Sequence, residues 1–305
     1  MSHDPTGWTG IIPPMVTPFH PDSEELDEDA LRAEVDTLLG AGVQGLCVTG
    51  STGEGAAITA SEARRVAEVV VHEVQGRVPV ISGIIQNSTR MVLEYADAVR
   101  DVGVDGLQVT PVHYLFKPDA DGTVNYYRAV AGRGLPIMIY NVIPWAFLEA
   151  PVLVRLMREV PGVVGVKQSG GDLHKLADLL LTAPPEKRIF SAVDDLLYPS
   201  FTLGAHGAIA AILTILPRTS VKLWEAVRDG RHDTARALHP VLLRMWRAVD
   251  GPNMPARAKA AIALQGRPAG VARSPAAAVS DEDVARILEA LKDAAVSEEI
   301  TVPAR

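Results

Sequence analysis

Short apolar runs recur along the chain, and a helical pattern of apolar positions follows almost every one. The runs are five to seven residues long, rich in valine and isoleucine, and too short for helices. They do not alternate with polar residues, which is typical of parallel strands covered on both faces. The predicted strands are Gly10–Val16, Gly45–Thr49, Val78–Ile84, Gly106–Thr110, Leu135–Tyr140, Val163–Lys167, Arg188–Ala192 and Gly207–Ile212.

The segments between these runs have the spacing and the end signals of helices. Leu31 and Val35 begin an apolar stripe of helical period. Thr59 and Glu62 have the spacing of a capping box ahead of a valine-rich segment. Pro151 stands at a first helical position, where its missing N–H costs nothing. The chain therefore alternates predicted strands with predicted helices.

Eight strand–helix units in about 230 residues predict an α/β fold, a (β/α)8 TIM barrel. A doubly wound open sheet is the structural competitor, but no Gly-x-Gly-x-x-Gly follows the first predicted strand. A Gly-x-x-Gly motif also precedes every second strand, which favours a pseudo-symmetric closed barrel. The motif occurs at Gly42–Gly45, Gly103–Gly106, Gly162–Gly165 and Gly204–Gly207.

The strand signal stops near Pro217, and four helical segments follow it. We therefore predict a barrel core over residues 1–216, through strand eight. Residues 217–305 would contain the last barrel helix and a C-terminal helical appendage.

The composition fits a folded enzyme and argues against several other classes. The chain of 305 residues is 48% hydrophobic and 22% charged, so it can bury a large core. Its net charge of -8 gives no electrostatic reason to expect a nucleic-acid partner. The single Cys47 is predicted to be a small buried side chain, and it fits a reducing compartment. With neither an apolar leader nor a membrane-spanning run, we expect a cytoplasmic protein.

A loop rich in glycine, Gly50–Gly55, follows the second predicted strand with the sequence Gly-Ser-Thr-Gly-Glu-Gly. In such barrels the reacting groups lie at the C-terminal ends of the strands. Glycines allow a sharp turn close to a ligand, and Ser51 and Thr52 add hydroxyls to the exposed N–H groups. This glycine loop therefore predicts a carboxylate site, the alternative being an ordinary turn.

Two other strand ends carry candidate chemistry. Tyr140 closes the fifth predicted strand, where a hydroxyl facing the barrel mouth can pass protons or bond a neighbouring carbonyl. Lys167 closes the sixth, and alternation places Val163, Gly165 and Lys167 on one face. A lysine is rarely buried without a purpose, and desolvation there would favour a neutral amine that attacks a ketone. The alternative is a lysine that turns to solvent from the following loop.

These residues together resemble the dihydrodipicolinate synthase and N-acetylneuraminate lyase family from about Gly10 to Arg273. The matching marks are the glycine loop, Val109-Thr110-Pro111, Tyr140-Asn141 and Gly165-Val166-Lys167. Each motif is weak alone, but their order and spacing together are specific.

The resemblance implies a class I aldolase that acts on pyruvate, or a related 2-oxo acid, with an aldehyde partner. Lys167 would form the imine, Tyr140 would shuttle protons, and Thr52 would belong to the proton relay. Because the imine is the electron sink, no metal or organic cofactor is implied. The family also implies a homo-oligomer, a tetramer or a dimer.

The resemblance assigns further residues to pyruvate binding. Ser51 and Thr52, with the backbone around Gly50, would hold the carboxylate. Ala192 and Ile209 match positions that line the pyruvate pocket through their backbone.

The sequence departs from the family at two places. Trp145 stands where the synthases have an arginine that binds the carboxylate of the aldehyde, so aspartate semialdehyde is in doubt and a less anionic or more apolar aldehyde fits better. His113 stands where a tyrosine often reaches into a neighbouring subunit's site. Either His113 or the adjacent Tyr114 could complete that relay.

Several functions remain open within this fold. The main prediction is a Schiff-base aldolase or lyase. A 2-keto-3-deoxy acid dehydratase, or a hydratase–aldolase, would use the same scaffold. A protein that binds a 2-oxo acid without catalysis is the alternative from another class.

Overall fold

A closed barrel of eight parallel strands forms the centre of the protein, which is described by a computed structural model over residues 3–114 and 116–302. Neighbouring strands follow the order β1-β8-β7-β6-β5-β4-β3-β2. The predicted (β/α)8 barrel is thus confirmed, and each of the eight predicted runs contains a strand, although the eighth strand ends at Ala208 and the predicted end, Ile212, begins a helix. The strands are β1 (Gly10–Ile11), β2 (Leu46–Val48), β3 (Val80–Ile84), β4 (Gly106–Val109), β5 (Ile137–Asn141), β6 (Val163–Gln168), β7 (Arg188–Ser191) and β8 (Gly207–Ala208).

The segment after β1 closes the barrel onto β2. Pro14 forms a parallel bridge with Cys47, the Cys47 N–H donates to the Pro13 carbonyl at 3.0 Å, and the Met15 N–H donates to the Cys47 carbonyl at 2.8 Å. Strand β1 is shorter than predicted because Pro13 and Pro14 have no N–H to continue a regular ladder. The chain nevertheless remains alongside β2, so the cylinder has no open edge.

Helices follow each strand and cover the outside of the barrel. The Thr59–Glu62 capping box is present, with the Glu62 N–H donating to Thr59 Oγ1 at 3.2 Å and the Thr59 N–H donating to Glu62 Oε2 at 2.7 Å. Pro151 lies in the first turn of its helix, as predicted. The helices are α1 (Glu28–Gly40), α2 (Ala60–Val74), α3 (Thr89–Val99), α4 (Ala120–Ala131), α5 (Ala150–Glu159), α6 (Leu173–Thr182), α7 (Leu197–Thr202), α8 (Ile212–Ile215), α9 (Pro217–Arg228), α10 (His232–Val249), α11 (Met254–Ala263) and α12 (Asp281–Glu298).

The core has two layers because successive side chains of each strand point to opposite faces. The large outer layer lies between strands and helices, and a smaller inner group fills the barrel. Cys47 belongs to the inner group, and burial raises the pKa of its thiol to about 11. The prediction that Cys47 is a small buried side chain is therefore confirmed. The inner group consists of Trp8, Ile12, Cys47, Ile81, Met138, Phe190 and Ile209.

Glycines at the N-terminal ends of the strands make room for this inner packing. A Cβ at Gly106 would lie 2.5 Å from the Trp8 ring, and one at Gly207 would lie 2.0 Å from the Gly10 carbonyl oxygen. Both distances are far below a van der Waals contact, so no larger residue fits without a shift of the backbone. Close packing at the starts of the strands thus explains the second glycine of the repeated Gly-x-x-Gly motif at Gly106 and Gly207.

The C-terminal helices share the outer core layer with the barrel helices, and Leu242, Met245 and Leu291 belong to the same cluster as Leu31 of α1. The predicted change from strands to helices after residue 216 is therefore a change in architecture within a common core. The division into two domains at this point stays a prediction. The ends of the two predicted domains, residues 1–2 and 303–305, lie outside the described part of the chain. In residues 3–114 and 116–302, none of the helices is both long and apolar enough to cross a bilayer.

A buried ion pair ties the appendage to the barrel. Arg267, beyond α11, donates from Nη2 to Glu34 Oε1 on α1 at 2.6 Å, and the Glu34 side chain is fully buried. Arg267 also donates to the carbonyls of Thr214 and Ile215 at 2.9 and 3.2 Å. Burial raises the pKa of Glu34, while the charge and hydrogen bond of Arg267 act in the opposite direction.

We expect Arg267→Met to lower the free energy of unfolding by about 3–5 kcal/mol, because it leaves Glu34 as an unpaired buried carboxyl group. Urea unfolding would measure this loss, and adding Glu34→Gln should recover part of it. Arg236→Met, which removes an exposed pair with Asp233, is the matched control and should cost less than about 1 kcal/mol. Equal losses in the two single variants would contradict the structural role assigned to the buried pair.

Candidate active site

A cavity of about 250 Å³ opens at the C-terminal ends of the strands. It brings together six residues that the sequence marked from five separate segments, namely Ser51, Thr52, Tyr140, Lys167, Ala192 and Ile209. Larger surface depressions lie beside Lys259 and beside Arg247, but neither is lined by a lysine together with a tyrosine. The remaining lining residues of the cavity are Val142, Ser169, Gly170, Asp194, Ala210, Ala211, Trp246 and Met254.

Lys167 is held inside the barrel by the pairing of β5 with β6. It stands opposite Tyr140 in the register, it is only 4% exposed, and its Nζ lies 4.0 Å from the centroid of the Tyr140 ring. The amine and the phenol therefore belong to one small enclosed space. The alternative, a lysine that turns away into solvent, does not occur.

A bulge in β6 corrects one prediction about this strand. Ile137 pairs with Val163 and the next residue, Met138, pairs with Gly165, so Val164 is left unpaired. Simple alternation placed Val163 on the face of Lys167, but Val163 packs in the outer layer against the helices. The extra residue reverses the alternation, as a bulge does, and only Gly165 keeps the predicted relation to Lys167.

The glycine loop folds tightly against the strand that precedes it. Thr49 and Glu54 have left-handed backbones, with φ of 55° and 56°. A Cβ at Gly55 would lie 1.8 Å from the Thr49 carbonyl oxygen, and the Gly55 N–H donates to the Gly50 carbonyl at 2.9 Å. The glycine at position 55 is therefore required by the packing of the loop on itself.

The loop presents a hydroxyl to the tyrosine at the opposite side of the barrel mouth. Tyr140 donates from its hydroxyl to Ser51 Oγ at 2.9 Å. Thr52 is 4% exposed and lines the same cavity. A single hydrogen bond thus links the phenol to the glycine loop.

The appendage anchors the glycine loop through Glu54, a contact that local sequence patterns do not reveal. The Glu54 carboxylate accepts from Lys259 Nζ at 2.5 Å and from the Arg273 N–H at 2.8 Å. Lys259, on α11, is buried and also donates to the Val271 carbonyl at 2.6 Å. Burial lowers the pKa of Lys259, and the hydrogen bond and charge of Glu54 oppose that shift. The left-handed backbone at Glu54 is thus fixed by a paired buried charge.

Asp194 is a cavity residue that sequence reasoning missed. It follows β7, and its Oδ1 accepts from the Ile212 N–H at 2.8 Å. Burial raises the pKa of Asp194 to about 7, although the Ile212 N–H and the charge of Lys167 act in the opposite direction. An acidic residue just beyond a barrel strand was an available signal, because strand ends carry the chemistry in this fold.

Three predicted residues, His113, Tyr114 and Trp145, lie on the segments that follow β4 and β5 and do not line the cavity. The Trp145 indole N–H donates to the His113 carbonyl at 2.7 Å, so its single donor is already used. Tyr114 and Trp145 are 65% and 71% exposed, and the Tyr114 N–H donates to Asn87 Oδ1 at 3.0 Å. Gly50 also lies behind the lining residues, beside Gln108. Their assignment to substrate binding or to a proton relay stays a prediction.

The sequence and the fold are both similar to those of known proteins. The dihydrodipicolinate synthetase family matches residues 7–294. A 4-hydroxy-tetrahydrodipicolinate synthase of Methanospirillum hungatei is 34% identical and the alignment covers 92% of this chain and 98% of that protein. One of Thermus thermophilus is 37% identical over 84% of this chain and 86% of that protein.

A solved structure extends the similarity to a protein with a bound ligand. It is YagE of Escherichia coli K12, described as a prophage protein of the dihydrodipicolinic acid synthase family in complex with pyruvate. Its TM-score to this chain is 0.88, and the two sequences are 29% identical. The superposition covers 97% of this chain and 100% of the YagE chain.

We expect the Asp194 carboxyl carbon to titrate near pH 7 in NMR spectra of protein labelled at aspartate, instead of near the ordinary value of 3.8. Lys167→Met should raise this midpoint, because the nearby cation that lowers the pKa of Asp194 is removed. Lys175→Met, which removes an exposed lysine paired with Glu149, is the control and should leave it unchanged. A midpoint that responds equally to both substitutions would contradict the placement of Asp194 in the cavity of Lys167.

Proposed function

The chain belongs to the dihydrodipicolinate synthetase family, lyases of the class I aldolase type that act on pyruvate, and we propose that Lys167 is its Schiff-base lysine. One observation carries this proposal. The Lys167 amine lies 4.0 Å from the Tyr140 ring centroid, inside a cavity of about 250 Å³, and Tyr140 is hydrogen-bonded to the glycine loop. An amine, a proton carrier and a carboxylate-binding loop are the parts that imine chemistry requires.

In the proposed reaction, the Lys167 nitrogen attacks the carbonyl carbon of pyruvate. The carbonyl oxygen takes up protons and leaves as water, and a protonated imine remains. Loss of a proton from the methyl carbon then gives an enamine, whose carbon adds to the aldehyde. Hydrolysis of the imine releases the product and restores the amine.

Tyr140 and the glycine loop have separate tasks in this proposal. The Tyr140 hydroxyl, 2.9 Å from Ser51 Oγ, transfers protons during imine formation, and Thr52 extends the relay. Ser51 and Thr52 hold the carboxylate of pyruvate with their hydroxyls and the backbone around Gly50. The Glu54–Lys259 anchor supports this assignment, because a fixed loop keeps its donors in place.

The finer features of the enzyme also belong to the proposal. We place it in the cytoplasm, as a homo-oligomer in which His113 or Tyr114 reaches a neighbouring site. The exposure of Tyr114 and Phe116, at 65% and 70%, supports a surface that another subunit covers. The net charge of -8 supports the absence of a nucleic-acid partner.

Reduction with borohydride in the presence of pyruvate should trap the imine on Lys167. We expect a mass increase equal to pyruvic acid less one oxygen atom, on the peptide that contains Lys167. Lys167→Ala should give no adduct, whereas Lys175→Ala, the exposed control, should give a normal one. An intact protein that gains no adduct would instead favour a non-catalytic 2-oxo acid binder.

Tyr140→Phe should slow the exchange of the pyruvate methyl hydrogens with D2O by about 10²–10⁴-fold, because the proton carrier is lost. Proton NMR measures this exchange without any aldehyde. Ser51→Ala should act in the same direction with a smaller effect. Tyr198→Phe removes a hydroxyl that lies 3.3 Å from His232 Nδ1 on the outer helices, and it should exchange at the normal rate. Normal exchange in Tyr140→Phe would refute its role.

A further inference from the structure

We infer that the second substrate is an uncharged aldehyde with an apolar substituent, and that Trp246 and Met254 of the appendage form the wall that receives it. This inference rests on the proposed role of Lys167 and adds the chemical class of the partner. It concerns the part of the cavity that the predicted pyruvate residues leave unassigned.

The unassigned wall is mainly apolar and is supplied by the C-terminal helices. Trp246 lies on α10 and Met254 begins α11, and both line the cavity of Lys167 together with Val142 and Ala211. Helix α10 packs against α7 and α8, and α11 packs against α8. Since α7 and α8 follow β7 and β8, this wall stands on the β7–β8 side of the barrel mouth.

In the described lining of the cavity, no cation is left for an anionic aldehyde. Among the lining residues that the structure describes, Lys167 is the one cationic side chain, and it is used by pyruvate. Asp194 is the one carboxylic acid among these described lining residues, and it repels an anion when it is ionised. A carboxylate buried here would therefore lose its hydration without gaining a partner.

Cations near the mouth are held by other groups. Arg247 Nη2 lies 3.0 Å from Asp195 Oδ2, Lys175 Nζ lies 3.0 Å from Glu149 Oε1, and Lys117 Nζ donates to the Phe147 carbonyl at 2.5 Å. None of these three cations lines the cavity. Of the residues that the structure describes, these three cations therefore do not supply the positive charge that the lining lacks.

The reaction that takes place beside this wall is a simple aldol addition. The enamine carbon forms a bond to the aldehyde carbon, and the electron pair of the aldehyde double bond moves to its oxygen, which takes a proton. Water then cleaves the imine, so that a 4-hydroxy-2-oxo acid leaves and the Lys167 amine is restored. The substituent of the aldehyde stays outside these steps, and burial of apolar surface against Trp246 and Met254 stabilises it.

Two aldehydes of equal shape separate the effect of charge from that of size. In 4-methylpentanal an isopropyl group replaces the carboxylate of succinic semialdehyde. With pyruvate as co-substrate, we expect kcat/KM to be at least about tenfold higher for 4-methylpentanal. A higher kcat/KM for succinic semialdehyde, or turnover of neither aldehyde, would overturn the inference.

Substitutions in the wall test which residues set this preference. Met254→Lys should reverse it, because the new cation pairs with the carboxylate. Trp246→Leu should lower kcat/KM for 4-methylpentanal more than for succinic semialdehyde. Met91→Lys, at a methionine that is 43% exposed on α3, is the matched control for Met254→Lys and should keep the wild-type ratio. A ratio unchanged in Met254→Lys would contradict the assigned wall.

Borohydride trapping with pyruvate alone distinguishes the two levels of the proposal. It needs no aldehyde, so it reports on Lys167 and not on the wall. If the wild-type protein gave no adduct with pyruvate, the proposed function itself would be wrong. Normal trapping together with a preference for the anionic aldehyde would defeat only the inference about Trp246 and Met254.

Discussion

The position of one amine inside a cylinder of strands is the constraint on which the rest of the site depends. Lys167 faces the cavity because β5 and β6 pair in a single register, with Tyr140 directly opposite. A slip of one residue would turn every side chain of the strand to the other face. The bulge at Val164 shifts the alternation of side chains by one residue within β6. Val163 therefore packs outward while Lys167 points inward. The position of this amine relative to the phenol is thus set by strand pairing.

Much of this arrangement could be predicted from sequence because its signals are local. Buried parallel strands are short apolar runs, and a lysine that ends such a run is conspicuous. The face of Val163 was predicted wrongly, because a bulge depends on the neighbouring strand. Trp246 and Met254 had no local signal, since the pairing of the appendage with the barrel mouth exists only after folding. Asp194 carried a signal that was overlooked.

The appendage has two structural tasks at the barrel mouth. Through Lys259 it holds Glu54, and hence the backbone of the glycine loop, by a buried ion pair. Such a pair adds little net stability, but leaving one partner alone is costly, so it favours a single loop conformation. Through Trp246 and Met254 the appendage also encloses the cavity. The barrel alone would therefore present Lys167 beside a looser loop and an open side.

These two tasks separate the chemistry of the site from its selectivity. Lys167 and Tyr140 lie on paired strands, where a substitution that disturbs the register displaces both groups together. Trp246 and Met254 lie on helices that are not part of the sheet, so their side chains can change while the amine and the phenol stay 4.0 Å apart, measured from nitrogen to ring centroid. In the proposed reaction, the step on pyruvate then depends on the barrel, and the choice of aldehyde depends on the helices that pack over the mouth of the barrel. Among the described residues that line the cavity, these helices supply Trp246 and Met254 and no cation, and in the proposed reaction that combination determines which partner can be desolvated beside the imine.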